Sequence, residues 1–308
     1  MTPDQIIDWL QSTLRWGGPL ILISVGEVFA ERTGVINVGI EGVMLVGALT
    51  GVAISYLTGS VLWAVIVTIL VGFILGAAFA YLTVTRKTNQ VVTGLMFNLA
   101  ALGGTNLVFS LLSETRSERV AIFPVLFPES FSEIPIIGPV LFDQPVNTWI
   151  ALLLPFAAAW FLYRTNWGLN LRSVGDNPQA AATAGLPVIR LKYQGVILSG
   201  IFAALGGCVL TLGEIGYFAS GGMTAGRGFV VLAAVVVGGW DPLKTALACL
   251  VFGAADSAQL RMQISGSVIP YQFFQMLPYL LTIAALGGLV GRTRPPKTWG
   301  QPYDPADI

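Results

Sequence analysis

Nine polar or charged residues lie within or beside long apolar stretches, where such side chains are costly to bury. An ionised side chain at the centre of a bilayer costs about 2.5–3.5 kcal/mol on insertion scales, so these residues usually face a cavity or a partner. Carboxylates in this setting could couple transport to an ion, whereas amides could bind a neutral solute. The nine are Glu27, Asn37, Glu41, Asn98, Asn106, Glu214, Arg227, Asp256 and Gln259.

A neutral solute rich in hydroxyl groups needs hydrogen-bonding amides and aromatic surface along its path rather than a fixed charge. Glu27 and Glu41 flank the stretch RTGVINVG, and we expect them to have a structural role, either pairing with Arg32 or capping the ends of broken helices. The alternative for the amides is an interhelical hydrogen bond, which is worth only about 0.6 kcal/mol on average. The candidate pathway residues are Asn37, Phe97, Asn98, Asn106, Phe229 and Gln259.

The composition excludes several kinds of chemistry. The chain has no histidine, so it has no Ser-His-Asp triad and no histidine-ligated metal. Cys208 and Cys249 lie in apolar stretches without a CxxC spacing, as expected for buried packing residues. The stretch nearest to a phosphate-binding GxxxxGK[ST] loop, GGWDPLKT at 238–245, has Leu243 in place of glycine and is predicted to be a turn. We therefore expect no catalytic residue, metal or cofactor on this chain.

A short polar island, VGDNPQAAATAG at 174–185, has the residues of a well-capped helix. Asn177 can cap it, Pro178 suits the first helical position, and Gly185 can adopt the left-handed conformation that ends a helix. A small-residue face that is already ordered loses little entropy when it docks. This pattern predicts a docking helix for another protein, and the alternative is a loop that merely joins two spans.

The elements that position these residues are predicted to be membrane helices. Hydrophobic residues make up 55% of the 308-residue chain and charged residues only 10%, against about 25% charged in a soluble protein. We expect an all-α polytopic membrane protein, a single domain over 1–308 with eight to ten spans, some of them broken. The candidate segments are 17–31, 35–57, 61–85, 90–112, 146–163, 192–215, 225–240, 244–262 and 270–290.

The positions of the basic residues predict the orientation of the chain. The Arg86–Lys87 connection, the loop 164–192 and the tail 291–308 carry the basic clusters and are expected to be cytoplasmic. The acidic loop 113–145 is expected to be extracytoplasmic. Residues 1–15 are amphipathic and predict either an interfacial helix or an extension of the first span. Because 16 basic residues balance 16 acidic ones, we expect no nucleic-acid partner.

Two Gly-rich stretches, one in each half, begin with small and polar residues and continue as apolar runs. They are GVINVGIEGVMLVGALTG at 34–51 and GGMTAGRGFVVLAAVVVGG at 221–239. Interrupted apolar segments in the two halves of a membrane protein indicate a transport pathway. The similarity between the two stretches is weak, and a chance likeness of Gly-rich sequence is the alternative.

Three motifs in order resemble those of ABC-importer permeases of the branched-chain amino acid, ribose and simple-sugar group. GEVFAERTGVINVGIEGVMLVGA at 26–48 and GRGFVVLAAVVVGGWDP at 226–242 resemble the nucleoside and simple-sugar branch of that group. GLNLRSVGDNPQAAATAG at 168–185 resembles the cytoplasmic segment that couples such permeases to their ATPase. The resemblance covers the chain from about Gly17 to Gly291.

The resemblance implies a cell-membrane subunit of an ATP-driven importer of a nucleoside or simple sugar. It implies a second permease, often related but not identical, ATPase subunits that bind ATP and Mg²⁺, and an extracytoplasmic solute-binding protein. By position, the coupling helix comprises Asn177, Pro178, Ala180, Ala181, Ala184 and Gly185, and its approach is set by Gly168, Arg172 and Gly175.

Two other kinds of transporter remain as alternatives. One is a branched-chain amino acid permease of the same fold, in which the N-termini of broken helices would hold the solute carboxylate. The other is a secondary transporter driven by H⁺ or Na⁺, which would use Glu27, Glu41 and Asp256 for ion coupling. A secondary transporter would have no use for a cytoplasmic docking helix.

Overall fold

The computed structural model describes residues 3–112, 120–128, 137–264 and 295–304, together with positions 131, 134, 135, 276, 280 and 283. The α-helices are α1 (Pro3–Arg32), α2 (Ile40–Thr58), α3 (Val61–Ala80), α4 (Gln90–Leu112), α5 (Val146–Arg164), α6 (Asn166–Asp176), α7 (Pro178–Thr183), α8 (Val188–Val209), α9 (Arg227–Val237) and α10 (Pro242–Ile264). Two π-helical segments, Tyr81–Thr85 and Leu210–Ile215, continue α3 and α8, and a third comprises Gly138–Phe142.

The all-α polytopic class is confirmed in the described part of the chain. Five of these helices are long and apolar enough to cross a membrane: α2, α3, α4, α5 and α8. For α3 and α8 the apolar length includes the π-helical segment that continues the helix. The candidate span 225–240 was wrong as a full span, because α9 has only 11 residues and a length of about 16 Å at 1.5 Å per residue. The candidate span 270–290 lies outside the described residues except at positions 276, 280 and 283.

Residues 3–15 form the N-terminal part of α1 rather than a separate interfacial helix. The helix runs without a break for 30 residues, which corresponds to about 45 Å. Its N-terminal half packs on α10, where Trp9 Nε1 donates a hydrogen bond of 3.1 Å to the carbonyl of Ala254. The position of this segment relative to the membrane stays a prediction.

The centre of the bundle is α8, which packs on α1, α2 and α3. Glycines allow the backbones of α2 and α8 to approach closely. A Cβ at Gly207 would collide with the carbonyl oxygen of Met44, and one at Gly47 would collide with that of Ala204. Such small-residue contacts are the usual way in which membrane helices pack, since lipid supplies no hydrophobic driving force between them.

We expect Gly207→Val to prevent normal packing of α8 on α2. The added methyl groups have no room, and overpacking of a tight interior typically costs 1–3 kcal/mol or more. The measurement is the melting temperature and monodisperse yield of the detergent-purified protein. Gly103→Val is the matched control, because nothing lies within 4 Å of a Cβ at Gly103 on α4. Equal melting of both variants would contradict this packing.

The connections expected to be cytoplasmic lie together at one end of the bundle. Lys87 Nζ lies 2.6 Å from Asp304 Oδ2, which joins the α3–α4 turn to the C-terminal residues. The backbone N–H of Thr298 donates to the carbonyl of Gly175 at the end of α6, with a distance of 3.1 Å. At the other end, Arg15 near the start of α1 lies 3.6 Å from Asp143. The segments that carry the basic clusters in the sequence are therefore close together at one end of the structure, and the described part of the acidic loop lies at the other end.

Candidate functional site

The two Gly-rich stretches meet at Glu41, in the first turn of α2. Its Oε1 accepts hydrogen bonds from Thr224 Oγ1 at 2.6 Å and the N–H of Gly226 at 2.9 Å. Its Oε2 accepts one from the N–H of Gly228 at 2.7 Å. Free N–H groups at a helix start favour a carboxylate, so Glu41 caps α9 and joins the two broken segments.

The break between α1 and α2 is held by a buried polar cluster around Glu27. Glu27 Oε1 accepts from the N–H of Asn37 at 3.0 Å, and Oε2 accepts from Ser199 Oγ on α8 at 2.6 Å. Asn37 Nδ2 donates to Ser199 Oγ at 2.9 Å, and Asn37 Oδ1 accepts from the N–H of Gly39. All three side chains are fully buried, so both amide atoms of Asn37 are used inside the protein.

Arg32 pairs with neither of the two glutamates, and this part of the sequence-based expectation was wrong. Its Nε donates to the carbonyl of Trp240 at 2.9 Å, and its guanidinium also reaches the hydroxyl of Tyr163 at 3.4 Å. Tyr163 in turn donates to Asp241 Oδ2 at 2.9 Å. Arg32 therefore ties the end of α1 to α5 and to the turn at 238–241 between α9 and α10. The predicted turn at 238–245 is confirmed only for this first half, because residues 242–245 form the first turn of α10.

Asn98 and Asn106, on the α4 face toward α2, also form hydrogen bonds to the backbone. Asn98 Oδ1 accepts from the N–H of Gly42 at 2.8 Å, and its Nδ2 donates to the carbonyl of Val38 at 3.0 Å. Asn106 Oδ1 accepts from the N–H of Gly221 at 3.0 Å. These contacts hold α4 against both broken segments. A role of either amide in the solute path remains a prediction.

We expect Asn98→Ala to lower the stability of the protein. The change removes two hydrogen bonds between helices, which together contribute about 1 kcal/mol in a membrane protein. The measurements are the melting temperature of the purified protein and uptake competition among related solutes. A changed order of solute preference with unchanged melting would instead place Asn98 on the pathway.

The other predicted pathway residues lie in different surroundings. Phe97 packs edge-on against Phe79 of α3, with ring centroids 5.5 Å apart. Phe229 on α9 is 42% exposed, and Gln259 on α10 is half-buried. Near the start of α9, Arg227 lies 3.4 Å from Asp256 and over the ring of Trp16. Three of the six candidates, Asn37, Phe97 and Asn98, lie against the backbone at 38–42, where a Cβ at Gly39 would be 3.2 Å from both Asn37 Oδ1 and Phe97 Cβ. Asn106, Phe229 and Gln259 have the separate surroundings described above.

The predicted docking helix is α7, which has six residues. Asn177 Oδ1 accepts from the N–H of Ala180 at 3.0 Å, Pro178 occupies the first turn, and Gly185 follows with φ of +83°. Before it, Gly168 fits against the carbonyls of Phe161 and Leu162, where a side chain would collide. Cap, start and stop thus have the geometry that the sequence indicates.

The remaining predicted coupling residues sort into an inner and an outer face. Ala181 is 4% exposed and packs with Val174, Val188 and Leu191. Pro178 and Gly175 are buried as well, and Arg172 lies over the ring of Tyr163. These residues hold α7 on the bundle rather than facing solvent. The residues left exposed for a partner are Asn177, Ala180, Thr183, Ala184 and Gly185.

A polar cluster beside α7 was missed by the sequence analysis. Glu31 is fully buried, and its Oε2 accepts from Trp240 Nε1 at 2.5 Å and from Trp299 Nε1 at 2.8 Å. Lys192 is 1% exposed and donates from Nζ to the carbonyl of Thr33 at 2.7 Å. The sequence offers one signal for this cluster, namely that both tryptophans stand next to a glycine: Trp240 follows Gly239, and Trp299 precedes Gly300. The two pairs are far apart in the sequence.

The fold and the site define a class of protein. A bundle of apolar helices with two interrupted segments joined at its centre is the architecture of a transport subunit, and it carries a separate capped helix at one end. The chain belongs to the family described as branched-chain amino acid transport system / permease component, whose model matches residues 10–286. It is a multi-pass membrane protein of the cell membrane, and its relatives are permease subunits rather than enzymes.

The relatives that match nearly the whole chain include three named transporter permeases. The guanosine ABC transporter permease protein NupQ of Bacillus subtilis is 36% identical over 95% of both chains. The nucleoside ABC transporter permease protein NupC of Lactococcus lactis is 37% identical over 94% of both. The putative glucose ABC transporter permease protein TsgC13 of Haloferax volcanii is 35% identical over 92% of both. No solved structure matches the chain significantly.

Proposed function

We propose that this chain is the membrane-spanning permease of an ATP-driven importer of nucleosides. The observation that carries the proposal is the preformed helix α7, which is capped at both ends and exposes small residues at the end of the bundle that carries the basic connections. A short rigid helix transmits a displacement, whereas a flexible loop absorbs it. The motor that would move it is a separate ATPase, which holds the ATP and Mg²⁺.

The partners follow from the same proposal. Cytoplasmic ATP-binding subunits contact the outer face of α7, and a second permease, related to this chain but not identical, completes the path. An extracytoplasmic solute-binding protein delivers the solute, and membrane lipid surrounds the apolar helix faces. The family resemblance and the names of the relatives support this assembly.

The three carboxylates that the ion-coupled alternative would use are already engaged by other groups of the protein. Glu27 and Glu41 accept hydrogen bonds from backbone N–H groups, and Asp256 lies beside Arg227. These contacts satisfy carboxylates that an ion-coupled transporter would need for its ion. Two of the three relatives are named for nucleosides, and the third is named for glucose, which makes a simple sugar the second candidate. The alternative that the solute is a branched-chain amino acid is supported only by the family description.

The solute class can be tested by uptake in cells that express the complete transporter. Uptake of radiolabelled guanosine, glucose and leucine is measured separately, in parallel with a strain that lacks the permease, and excess unlabelled nucleosides, glucose or leucine serve as competitors. We expect permease-dependent uptake of guanosine that other nucleosides inhibit and leucine does not. Permease-dependent uptake of leucine without guanosine would contradict the proposal, and uptake of glucose without guanosine would select the sugar alternative.

A further inference from the structure

Residues 295–304, which we name the C-terminal strap, cross the end of the bundle that carries α7. Trp299 Nε1 donates to Glu31 Oε2 at 2.8 Å, and the N–H of Gly300 donates to the carbonyl of Gly34 at 2.9 Å. The ring of Trp299 also meets that of Trp240 edge-on, with centroids 5.7 Å apart. The strap is thereby joined to the end of α1, to the break after it and to the α9–α10 turn.

The strap also meets the backbone at the end of α6. Both the N–H and the Oγ1 of Thr298 donate to the carbonyl of Gly175, at 3.1 and 2.7 Å. Gly34 has φ of +87°, and a Cβ there would lie 2.7 Å from Thr298 Oγ1. A Cβ at Gly175 would collide with the carbonyl of Arg32. Three backbone segments therefore pack in direct contact at this point, with no room for a side chain between them.

The far end of the strap reaches the docking helix itself. Tyr303 is 7% exposed and packs in one cluster with Ala181 on the inner face of α7 and with Val188 and Leu191 of α8. The next residue, Asp304, forms the ion pair with Lys87. Between these contacts the strap borders a cleft of about 280 Å³ beside the α3–α4 turn, which leaves it room to shift there.

We infer that the strap links α7 mechanically to the break between α1 and α2, and that Tyr303 and Thr298 are positioning residues for coupling. This inference rests on the proposed function, since α7 must first be moved by an ATPase. A displacement of α7 moves Tyr303, which packs beneath α7. The strap then transmits this displacement through Thr298 and Trp299 to the break, where Trp299 contacts Glu31 and Gly300 contacts Gly34. The same break holds Glu27 and Asn37 at its inner end. Coupling travels through such contiguous packed contacts.

The test measures solute transported per ATP hydrolysed by the complete transporter in proteoliposomes. Substitutions along a coupling route typically change the coupling by about 2- to 30-fold. We expect Tyr303→Ala to lower the ratio of transported solute to hydrolysed ATP within that range. Tyr303→Phe should restore it, because the contact is apolar packing. Gln301→Ala is the control, since Gln301 is an exposed strap residue. An unchanged ratio in Tyr303→Ala would overturn the inference.

A second pair of variants keeps the test valid if Tyr303→Ala fails to assemble. Thr298→Val removes the hydroxyl bond to Gly175, and Thr298→Ser keeps it. We expect a lowered ratio only for the valine variant, and equal ratios for the two would overturn the inference. Failure of the proposed function looks different, because the wild-type assembly would then show no ATP-dependent uptake at all. If the wild-type complex couples normally and the variants have the same ratio, the inference about the strap is wrong and the proposed function is unaffected.

Discussion

A glutamate at Ala180 should abolish ATP-driven uptake while leaving the permease folded and assembled in the membrane. Ala180 is exposed on the outer face of α7, at the third helical position after the Asn177 cap. A glutamate in the first turn of a helix is compatible with the helix, since a carboxylate is favourable near the free N–H groups of a helix start. The substitution therefore adds bulk and charge to the docking surface without weakening the helix. We expect at least about a tenfold loss of uptake, which corresponds to about 1.4 kcal/mol.

The measurement is uptake and ATP hydrolysis by the reconstituted complex, with the melting temperature of the permease as a check on folding. Ala180→Ser is the matched control, because it keeps a small side chain at the same position, and it should behave as the wild type does. Ala181→Glu should differ from both. It places a charge in the buried cluster under α7 and should lower the melting temperature. Normal uptake by the Ala180→Glu variant would show that nothing docks on this face.

Glu41→Ala should cause a large loss of stability for a single substitution, because this partly buried carboxylate accepts three hydrogen bonds. The change leaves the N–H groups of Gly226 and Gly228 and the hydroxyl of Thr224 without their acceptor. Each unsatisfied buried group costs about 1–3 kcal/mol, so we expect a total of at least about 3 kcal/mol. Glu41→Gln should restore only part of the stability. Both carboxylate oxygens of Glu41 accept hydrogen bonds, and the glutamine amide replaces one of these acceptors with an NH₂ group, which is a donor facing a donor.

The measurements for Glu41 are the melting temperature and the uptake of the purified and reconstituted transporter. Asp8→Ala is the control, since the side chain of Asp8 is 59% exposed in its ion pair with Arg261, and exposed pairs contribute about 0–1 kcal/mol. A variant at Glu41 with unchanged melting but with ion-dependent uptake lost would contradict the capping role. That outcome would restore Glu41 as an ion-coupling carboxylate.

The helices and the docking element could be predicted because their signals are local. Apolar length predicts spans, and Asn177, Pro178 and Gly185 mark the start and end of α7 within a few residues. The limit of this reasoning is visible at α9, where the apolar run 225–240 is long enough to suggest a span. The helix starts only at Arg227, because the preceding glycines form turns with positive φ.

The polar contacts could not be predicted, because they join residues far apart in sequence. Glu41 meets Gly226 and Gly228 only once α2 and α9 pack, and nothing in the sequence specifies that register. The same reason explains why Arg32 was expected near Glu27 and instead lies against Trp240. Similarly, the alanines of α7 could not be divided into inner and outer positions, because Ala181 is buried in a cluster that includes Tyr303, which is distant in sequence.

The most direct test of the account is to purify the chain from native membranes by an N-terminal tag and to reconstitute what co-purifies. We expect to recover an ATPase subunit with a phosphate-binding loop and a second permease, each identified by mass. We also expect the reconstituted complex, supplied with its solute-binding protein, to take up a nucleoside only when ATP is present. A chain that is recovered alone and moves solute in liposomes without ATP would contradict the account.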